Sequence, residues 1–544
     1  MVTSMLQGTP ILVLKEGTER ERGKGAVYNN IAAARAIADA VRSTLGPRGM
    51  DKMLVDSMGD ITITNDGVTI LKEVDVEHPA AKMLVEVAKT QDQQCGDGTT
   101  TAVVLAGELL KRSESLLEQN IHPTVVTRGF QIALQEAQRL LEKEIGTPVK
   151  PDDDAVLLDC ARTAMGSKGV VGPKDVLAKI AVKAVRRIAE TRGDRIVADV
   201  DQIKLEKRHG GNTDDSELIE GIVLDKERGH PRMPREVTGA KIALLNSALE
   251  IKKTEIESKI AIKNPTQIQG FLDEEDKTFR RMVEAVKSSG ANVVVCQKGI
   301  DDVVLHYLAK EGIFAVKQVK ESDLQKLARA TGGKIVTGFK DLTANDLGHA
   351  EHVEEKKIGD DHMTFVTGCS NPRSVSILIR GGTEHVTQEV ERSLQDALKV
   401  VASVIEDGVV CPGGGATEID LAVKLRKHAP SVGGREQLAV EAFAQALEVV
   451  PWALAENGGY DSINTLIELR GAHTGGQASR NVGVNLTTGK AGDMWQLKVV
   501  EPLRVKRQAL NSAVEVATMV LRIDDVIASR KTPAPAPGAG GHDH

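Results

Sequence analysis

Hydrophobic residues along the first quarter of the chain recur at helical spacing, broken by sharp punctuation. Ile31, Ile37, Val41 and Leu45 fall near one face of a helix that Asn29 or Asn30 can cap. The pattern stops at Leu45-Gly46-Pro47, where glycine ends a helix and proline cannot continue it. Met53-Leu54-Val55, a Gly59-Asp60 turn and the alternating Ile61-Thr62-Ile63-Thr64 then predict a hairpin. Two long helices follow, at about 79–94 and 98–118, separated by Cys95-Gly96-Asp97-Gly98. Another starts at Pro123, a residue suited to a first helical position, and runs toward Ile145.

From about 149 the pattern changes. Short apolar runs at 241–245, 291–296 and 313–319 alternate with charged helical stretches, which predicts α/β structure. After about 405 long Ala-rich helices return, notably 434–449 and 508–528. The last segment, 532–544 (TPAPAPGAGGHDH), has almost nothing to bury and is expected to be a disordered tail. Helical outer thirds around an α/β middle third predict one domain inserted into another.

Only 2% of the 544 residues are aromatic. The cores must be built from Ala, Val, Leu and Ile, and base-stacking platforms for single-stranded nucleic acid are not expected. With 70 basic against 77 acidic residues, the formal charge of −7 offers nucleic acid no global positive field. No stretch approaches the roughly 20 uncharged apolar residues that span a bilayer, so no membrane partner is expected. The N-terminal apolar run, broken by Lys15 and a charged segment, is unlike a signal peptide. Cys95, Cys160, Cys296, Cys369 and Cys411 are scattered and form no CxxC pair; reduced thiols in a cytoplasm are the simple expectation.

The chemistry concentrates in Gly96-Asp97-Gly98-Thr99-Thr100-Thr101, between one helix end and the next helix start. Glycines let backbone amides approach an anion, a helix N-terminus carries partial positive charge, and the threonine hydroxyls add donors. A carboxylate there repels phosphate unless a cation lies between, so Asp97 reads as a Mg²⁺ ligand facing nucleotide phosphates. The same residues also suit plain helix caps and a glycine turn, and the local pattern leaves both readings open. Neither G-x-x-x-x-G-K-[ST] nor G-x-G-x-x-G occurs, so an ATP site here belongs to another type. Thr44 to Gly49 and Cys411-Pro412-Gly413-Gly414-Gly415 before a helix suit either close backbone approach to a ligand or plain turns, and Asn65-Asp66-Gly67 reads as a tight turn with Asp66 as its polar corner.

TLGPRGMDKM (44–53), NDGVTI (65–70), GDGTTT (96–101), PGGGATE (412–418) and VVEPLRVK (499–506) occur in this order. Together they resemble the group II chaperonins of the archaeal thermosome type. RGGTEHVTQEVERSLQDAL (380–398) and LRIDDVIASRK (521–531) are similar too, so the resemblance spans nearly the whole chain apart from the tail. AMGSKGVVG (164–172) and GAHTGGQASRN (471–481) depart from the pattern.

The resemblance implies a multidomain α + α/β chaperonin fold. A helical equatorial domain for ATP binding and ring contacts would comprise 1–148 and 405–531. A split intermediate domain would comprise 149–217 and 369–404, and an inserted α/β apical, client-binding domain 218–368. NSALEIKKTEIESKI (246–260) resembles the root of a built-in lid, at about 246–280. After it Asn264-Pro265 can start a helix, with Ile268, Phe271, Leu272, Phe279, Met282, Val283 and Val286 at three- and four-residue spacing. Such subunits stack, with like or mixed copies, into a double ring that encloses unfolded proteins on Mg-ATP hydrolysis and needs no separate co-chaperonin.

Carried over by position, Leu45, Gly46 and Pro47 would line the nucleotide, and Gly98, Thr99, Thr100 and Thr101 would hold its phosphates. Asp97 would ligate Mg²⁺, Gly414 would pack near the ribose, and Glu501 would accept from its hydroxyls. Asp66 and Asp396 are the implied catalytic carboxylates, Asp396 orienting or deprotonating the attacking water, and Lys168 would approach the γ-phosphate. Taken alone, Asp396 reads as a solvated helix position and Lys168 as a surface lysine. Two competing functions stand beside this one: a single-subunit small-molecule kinase with the same phosphate loop, and a passive nucleotide-binding holdase. The retained Asp66, Asp97 and Asp396 argue against the holdase, which has no use for a water-activating carboxylate.

Overall fold

The computed structural model describes residues 3–6, 9–12, 18–74, 76–166, 174–251, 265–371, 373–475 and 477–529. The chain forms two units, Met1–Thr147 with Cys411–His544, and Pro148–Val410 between them in sequence.

The first unit is helical. The Thr99–Glu118 helix is apolar nearly all round, with Ala102 to Ala106, Leu109 and Leu110 buried, and such a helix belongs at the centre of a core. Lys24–Arg42, Pro79–Cys95, Glu436–Leu447 and Leu503–Leu521 pack against it. Aromatic packing is sparse, as the composition requires. One edge-on pair, Phe130 with Phe443 at 6.0 Å between centroids, ties the Pro123–Leu140 and Glu436–Leu447 helices. The stretch Glu436–Asn457 has the length and mean hydropathy of a membrane span, but 78% of that window is buried within the protein.

Two local expectations need correction. Asn29 and Asn30 do not cap: the helix begins at Lys24 after Gly23, whose N–H donates to Asp524 O, and Asn30 is buried mid-helix. The cause is a strand pair, Thr18–Arg22 against Asp525–Ser529, which fixes where the helix can start. The same pairing ends the last helix at Leu521, so residues expected to be helical up to 528 are partly strand. Long-range pairing overrides local propensity here. The tail at 532–544 lies outside the described residues.

The second unit carries a mixed sheet. Glu236–Leu245, Val293–Cys296 and Phe314–Val316 run parallel, with Ile242 opposite Val293 and Val294 opposite Ala315. Gly348–Ile358 and Asp361–Cys369 continue the sheet antiparallel, and Gly221–Leu224 ends it. Both faces are covered. Ile242, Leu244, Val293 and Val295 meet Leu324 and Leu327 of the Glu321–Thr331 helix. Ala243, Leu245, Val294 and Cys296 meet Phe279, Met282 and Val286 of Pro265–Ser288 on the other side. Strands buried on both faces explain why these segments read as continuous apolar runs. A smaller sheet joins Lys204–His209, Ser376–Gly381 and Glu217–Ile219 beside the helices Asp154–Gly166, Lys174–Ile188 and Glu384–Asp407.

Back in the first unit, Glu448 is buried and clamped by two guanidiniums, with Arg470 Nε at 2.7 Å and Arg426 Nη1 at 2.7 Å. Burial pushes the Glu448 carboxyl up, but the hydrogen bonds from Arg470 and Arg426 outweigh it and hold the group below the usual range. A folded-state value below the unfolded one means the clamp stabilises above about pH 4.5 and is lost as pH falls through the folded value. Arg426 and Arg470 stay 31% and 44% exposed, so solvent screening discounts the clamp. Glu448→Gln should therefore cost about 1–3 kcal/mol at pH 7. Thermal unfolding across pH should show that gap closing below pH 4.5.

Candidate functional site

The Pro79–Cys95 helix stops at Gly96, whose N–H donates to Asp92 O at 2.9 Å, and a new helix begins at Thr99. Asp97 Oδ1 accepts the Gly98 N–H at 2.6 Å, folding the carboxylate back over the turn. Gly98 has φ +76°, and a Cβ there would come within 2.8 Å of Val505 Cγ1 and 3.0 Å of Gln91 Nε2. Both conformation and space therefore demand glycine. Being glycine, it supplies no side-chain cap, and the first-turn amides of the Thr99–Glu118 helix are left for an outside acceptor. Thr99, Thr100 and Thr101 are all buried in that turn.

Gln91 holds this turn in place. Its Nε2 donates to Asp97 O at 2.9 Å and to Val505 O at 3.2 Å, stitching the loop to the Leu503–Leu521 helix. Sequence reading passed over it. A fully buried glutamine on the face shared by Leu84, Val87 and Ala88 was the one available signal.

Asp66 is a helix cap rather than a simple turn corner. It opens the Gly67–Glu73 helix, with Oδ2 accepting from the Thr69 N–H at 3.1 Å and the Thr69 hydroxyl at 2.7 Å. A Cβ on Gly67 would lie 2.6 Å from Thr100 Oγ1, so the Asp66 turn rests directly on the threonine turn.

The Leu45 to Pro47 turn is secured from the far end of the chain. Asn457 Nδ2 donates to Arg42 O and Leu45 O at 3.0 and 2.9 Å. Arg48 donates to Gly458 O and Tyr460 Oη and stacks over the Tyr460 ring at 5.4 Å. The Val449–Asn457 helix also brings this turn and the triple-glycine loop together. Leu454 lies against Gly46, and Pro451 lies against Gly415. Within that loop Gly413 N–H donates to Val499 O at 3.0 Å, and Gly414 O accepts from Val484 N–H at 2.9 Å. The Ala416–Val432 helix that follows likewise starts from a glycine N-cap that offers no side-chain acceptor.

Behind the loop sit Glu501, Lys506 and Glu418. Lys506 Nζ is 2.7 Å from Glu501 Oε2 and 2.9 Å from Glu418 Oε1. Burial pushes the Glu501 carboxyl above its usual value and Glu418 and Asp97 push the same way, against Lys506. Asp97 thus belongs to the same charge neighbourhood as Glu501. Burial alone would push Lys506 down, but the two glutamates hold it well above the ordinary lysine range. Cys411 is pushed up to about 12, chiefly by burial, which leaves it an inert core thiol. None of the five cysteines forms a disulfide.

Among the described residues no three His, Cys, Asp or Glu side chains converge on a point that could hold a metal. Mg²⁺ is commonly bound by one or two carboxylates with substrate phosphates and water, so a site for it need not form such a cluster. Asp396 corrects an expectation: on the Glu384–Asp407 helix of the second unit it is only 9% exposed, not solvated. Lys168 and the lid-like residues 252–264 lie outside the described residues, while the helix expected after Asn264 does begin at Pro265. The first unit thus brings together Asp66, Asp97, Gly98 to Thr101, the 45–47 turn, Gly414 and Glu501.

Comparison with known proteins points one way. Residues 37–531 match the TCP-1/cpn60 chaperonin family. The chain is 61% identical over 532 residues to the thermosome subunit alpha of Thermoplasma acidophilum, covering 98% of this chain and 96% of the relative. Against the thermosome subunit of Pyrococcus horikoshii it is 56% identical, covering 97% and 96%. Among solved structures, the open-state monomer of a group II chaperonin from Methanococcoides burtonii superposes with a TM-score of 0.61 at 45% identity, covering 79% of this chain and all of that one.

If Gln91 is the clamp its bonds indicate, Gln91→Leu removes the donor to the Asp97 and Val505 carbonyls and with it the tie from the turn to the Leu503–Leu521 helix. A loss of about 1–3 kcal/mol in stability is expected from denaturant unfolding, together with weaker anion binding at the turn.

Proposed function

That the chain belongs to the TCP-1/cpn60 chaperonin family, as a group II subunit of the thermosome type with ATP-dependent chaperone function, is the premise from which we propose its working parts. The small-molecule kinase reading is set aside with that assignment.

ATP binds in the first unit, with its phosphates on the first-turn amides and hydroxyls of Thr99 to Thr101. The single observation that carries this reading is the glycine-capped start of the Thr99–Glu118 helix, flanked by two carboxylates, Asp97 and Asp66. Asp97 holds Mg²⁺, which would neutralise phosphate charge. Leu45, Gly46 and Pro47 line the nucleotide, Gly414 packs by the sugar, and Glu501 accepts from its hydroxyls. Asp66 and Asp396 act on the attacking water, and Lys168 adds positive charge at the γ-phosphate. Phosphoryl transfer needs mostly positioning and charge stabilisation, so such a site suffices for hydrolysis.

In domain terms the equatorial domain, 1–148 and 405–531, comprises most of the first unit with a few residues from its borders. The second divides into an intermediate domain (149–217 and 369–404) and an apical, client-binding domain (218–368) with an internal lid near 246–280. Copies of the subunit, alone or with related chains, form a double ring around unfolded protein in the cytoplasm, with no separate co-chaperonin. Support for self-association comes from the hairpin Lys52–Val55 with Ile61–Thr64, a two-stranded ribbon that leaves Met53, Met58, Ile61 and Ile63 between 48% and 85% exposed. An apolar ribbon with unpaired strand edges is a pairing surface unless another chain covers it.

Three variants test the reading. Asp97→Ala should abolish metal-dependent ATP affinity in calorimetry, and undiminished Mg-ATP affinity would remove the ligand role. Asp396→Ala should slow single-turnover hydrolysis by roughly 10²–10⁴-fold while affinity changes little. Wild-type turnover would contradict the water-activating role, and a collapse of affinity would make Asp396 a binding residue. Met53→Ser with Ile63→Ser should shift native mass from ring to free subunit, and an intact ring would show that the hairpin is not the contact.

A further inference from the structure

Glu501, Lys506 and Glu418 come from three places: the Val500–Pro502 strand, the first turn of Leu503–Leu521, and the first turn of Ala416–Val432. One cation serves two carboxylates, so the trio carries a net negative charge. Lys506 Nζ takes only one oxygen of Glu501, Oε2, at 2.7 Å. The other, Oε1, lies against the triple-glycine loop, where a Cβ on Gly413 would come within 2.6 Å of it and 3.0 Å of Val499 Cγ1. Glycine at 413 is therefore required for room. With the far oxygen anchored by lysine, the carboxylate cannot swing aside to admit a methyl group.

Stability alone does not account for this arrangement. Burying an ion pair roughly breaks even against apolar packing, and it does so only when every polar atom is paired. Here Glu418 Oε2 is buried with no hydrogen-bond partner, although Glu418 Oε1 is 2.9 Å from Lys506. Exposure is graded along the trio as well. Glu418 and Lys506 keep 4% and 7% of their side-chain surface, whereas Glu501 keeps 17%. The open end of the network is Glu501, beside the loop expected to meet the sugar. The charged and titratable groups that act on it are Lys506, Glu418, Asp97 and Cys411.

We propose that Lys506, itself held by Glu418, is a positioning residue that fixes the Glu501 carboxylate with Oε1 toward Gly413. Preference for ribose over deoxyribose nucleotides then depends on Lys506 as well as on Glu501. The proposal rests on the reading of Glu501 as the acceptor of sugar hydroxyls. An anchored carboxylate accepts from hydroxyls without first losing rotamer freedom, which is the advantage of preorganisation.

The test measures affinities of the assembled protein for ATP, 2′-deoxy-ATP and 3′-deoxy-ATP at one Mg²⁺ concentration, by calorimetry. Glu501→Gln should lower the ribo-over-deoxyribo preference by roughly tenfold, the loss of about one charge-assisted hydrogen bond. Lys506→Met combined with Glu418→Gln keeps the net charge of the trio and should lower the preference by a similar factor. A merely structural role would weaken all three nucleotides equally and leave the ratio unmoved. Collapse in Glu501→Gln with a wild-type ratio in the double variant overturns the positioning role and leaves the sugar reading standing. A wild-type ratio in Glu501→Gln overturns the sugar reading and the proposal with it. Should the double variant fail to assemble, Gly413→Ala replaces it, since it alters no charge and drives a methyl group at Oε1. An unchanged ratio in that variant overturns the proposal.

Discussion

The first unit depends on ties between segments some four hundred residues apart in the chain. Gln91 reaches the carbonyl of Val505, and Asn457 reaches those of Arg42 and Leu45. Each tie crosses the point where the whole Pro148–Val410 unit is inserted. The 45–47 turn takes its side-chain donor from the other half of the unit, and Gln91 ties the 96–98 turn across to that half. Buried carbonyls must be paired, so these few bonds fix the geometry of the site and not merely its stability.

That constraint explains the uncapped helix starts. Helices normally complete their first turn with Ser, Thr, Asp or Asn, at a gain of about 1 kcal/mol each. The Thr99–Glu118 and Ala416–Val432 helices forgo this and use glycine, with surrounding packing holding the turns instead. The proposed phosphate site uses these two helix starts, and the carboxylates beside one of them would carry the proposed cation. Other helices cap in the ordinary way, with Asp66, Asp301, Asp461 and Thr383 each accepting a first-turn N–H.

Much of this was legible in the sequence. The turn at 96–101, the hairpin at 53–64, the alternation of helical and α/β stretches and the helix start at Pro265 all follow from local pattern, because glycine, proline and periodic apolar residues act locally. What escaped depended on distant partners. Asn30 had the composition of a cap but is buried mid-helix, since the pairing of Thr18–Arg22 with Asp525–Ser529 sets the helix start. Gln91 and Asn457 carry no motif of their own, and each becomes meaningful only when a residue some four hundred positions away is brought beside it; Glu418 and Lys506 close the 412–418 and 499–506 motifs, but their pairing has no local signal. Asp396 was legible as a carboxylate on an amphipathic helix, but its burial was not, because one charged residue does not reveal which neighbours cover its face.

The central claim is that the turn from Asp97 to Thr101 holds the phosphates of Mg-bound ATP. It is tested most directly by an electron density map of the assembled protein with Mg²⁺ and a non-hydrolysable ATP analogue. The account predicts phosphate oxygens within hydrogen-bond distance of the Thr99 to Thr101 amides, with the metal between them and the Asp97 carboxylate. Phosphates seated elsewhere, or a metal with no contact to Asp97, would contradict it.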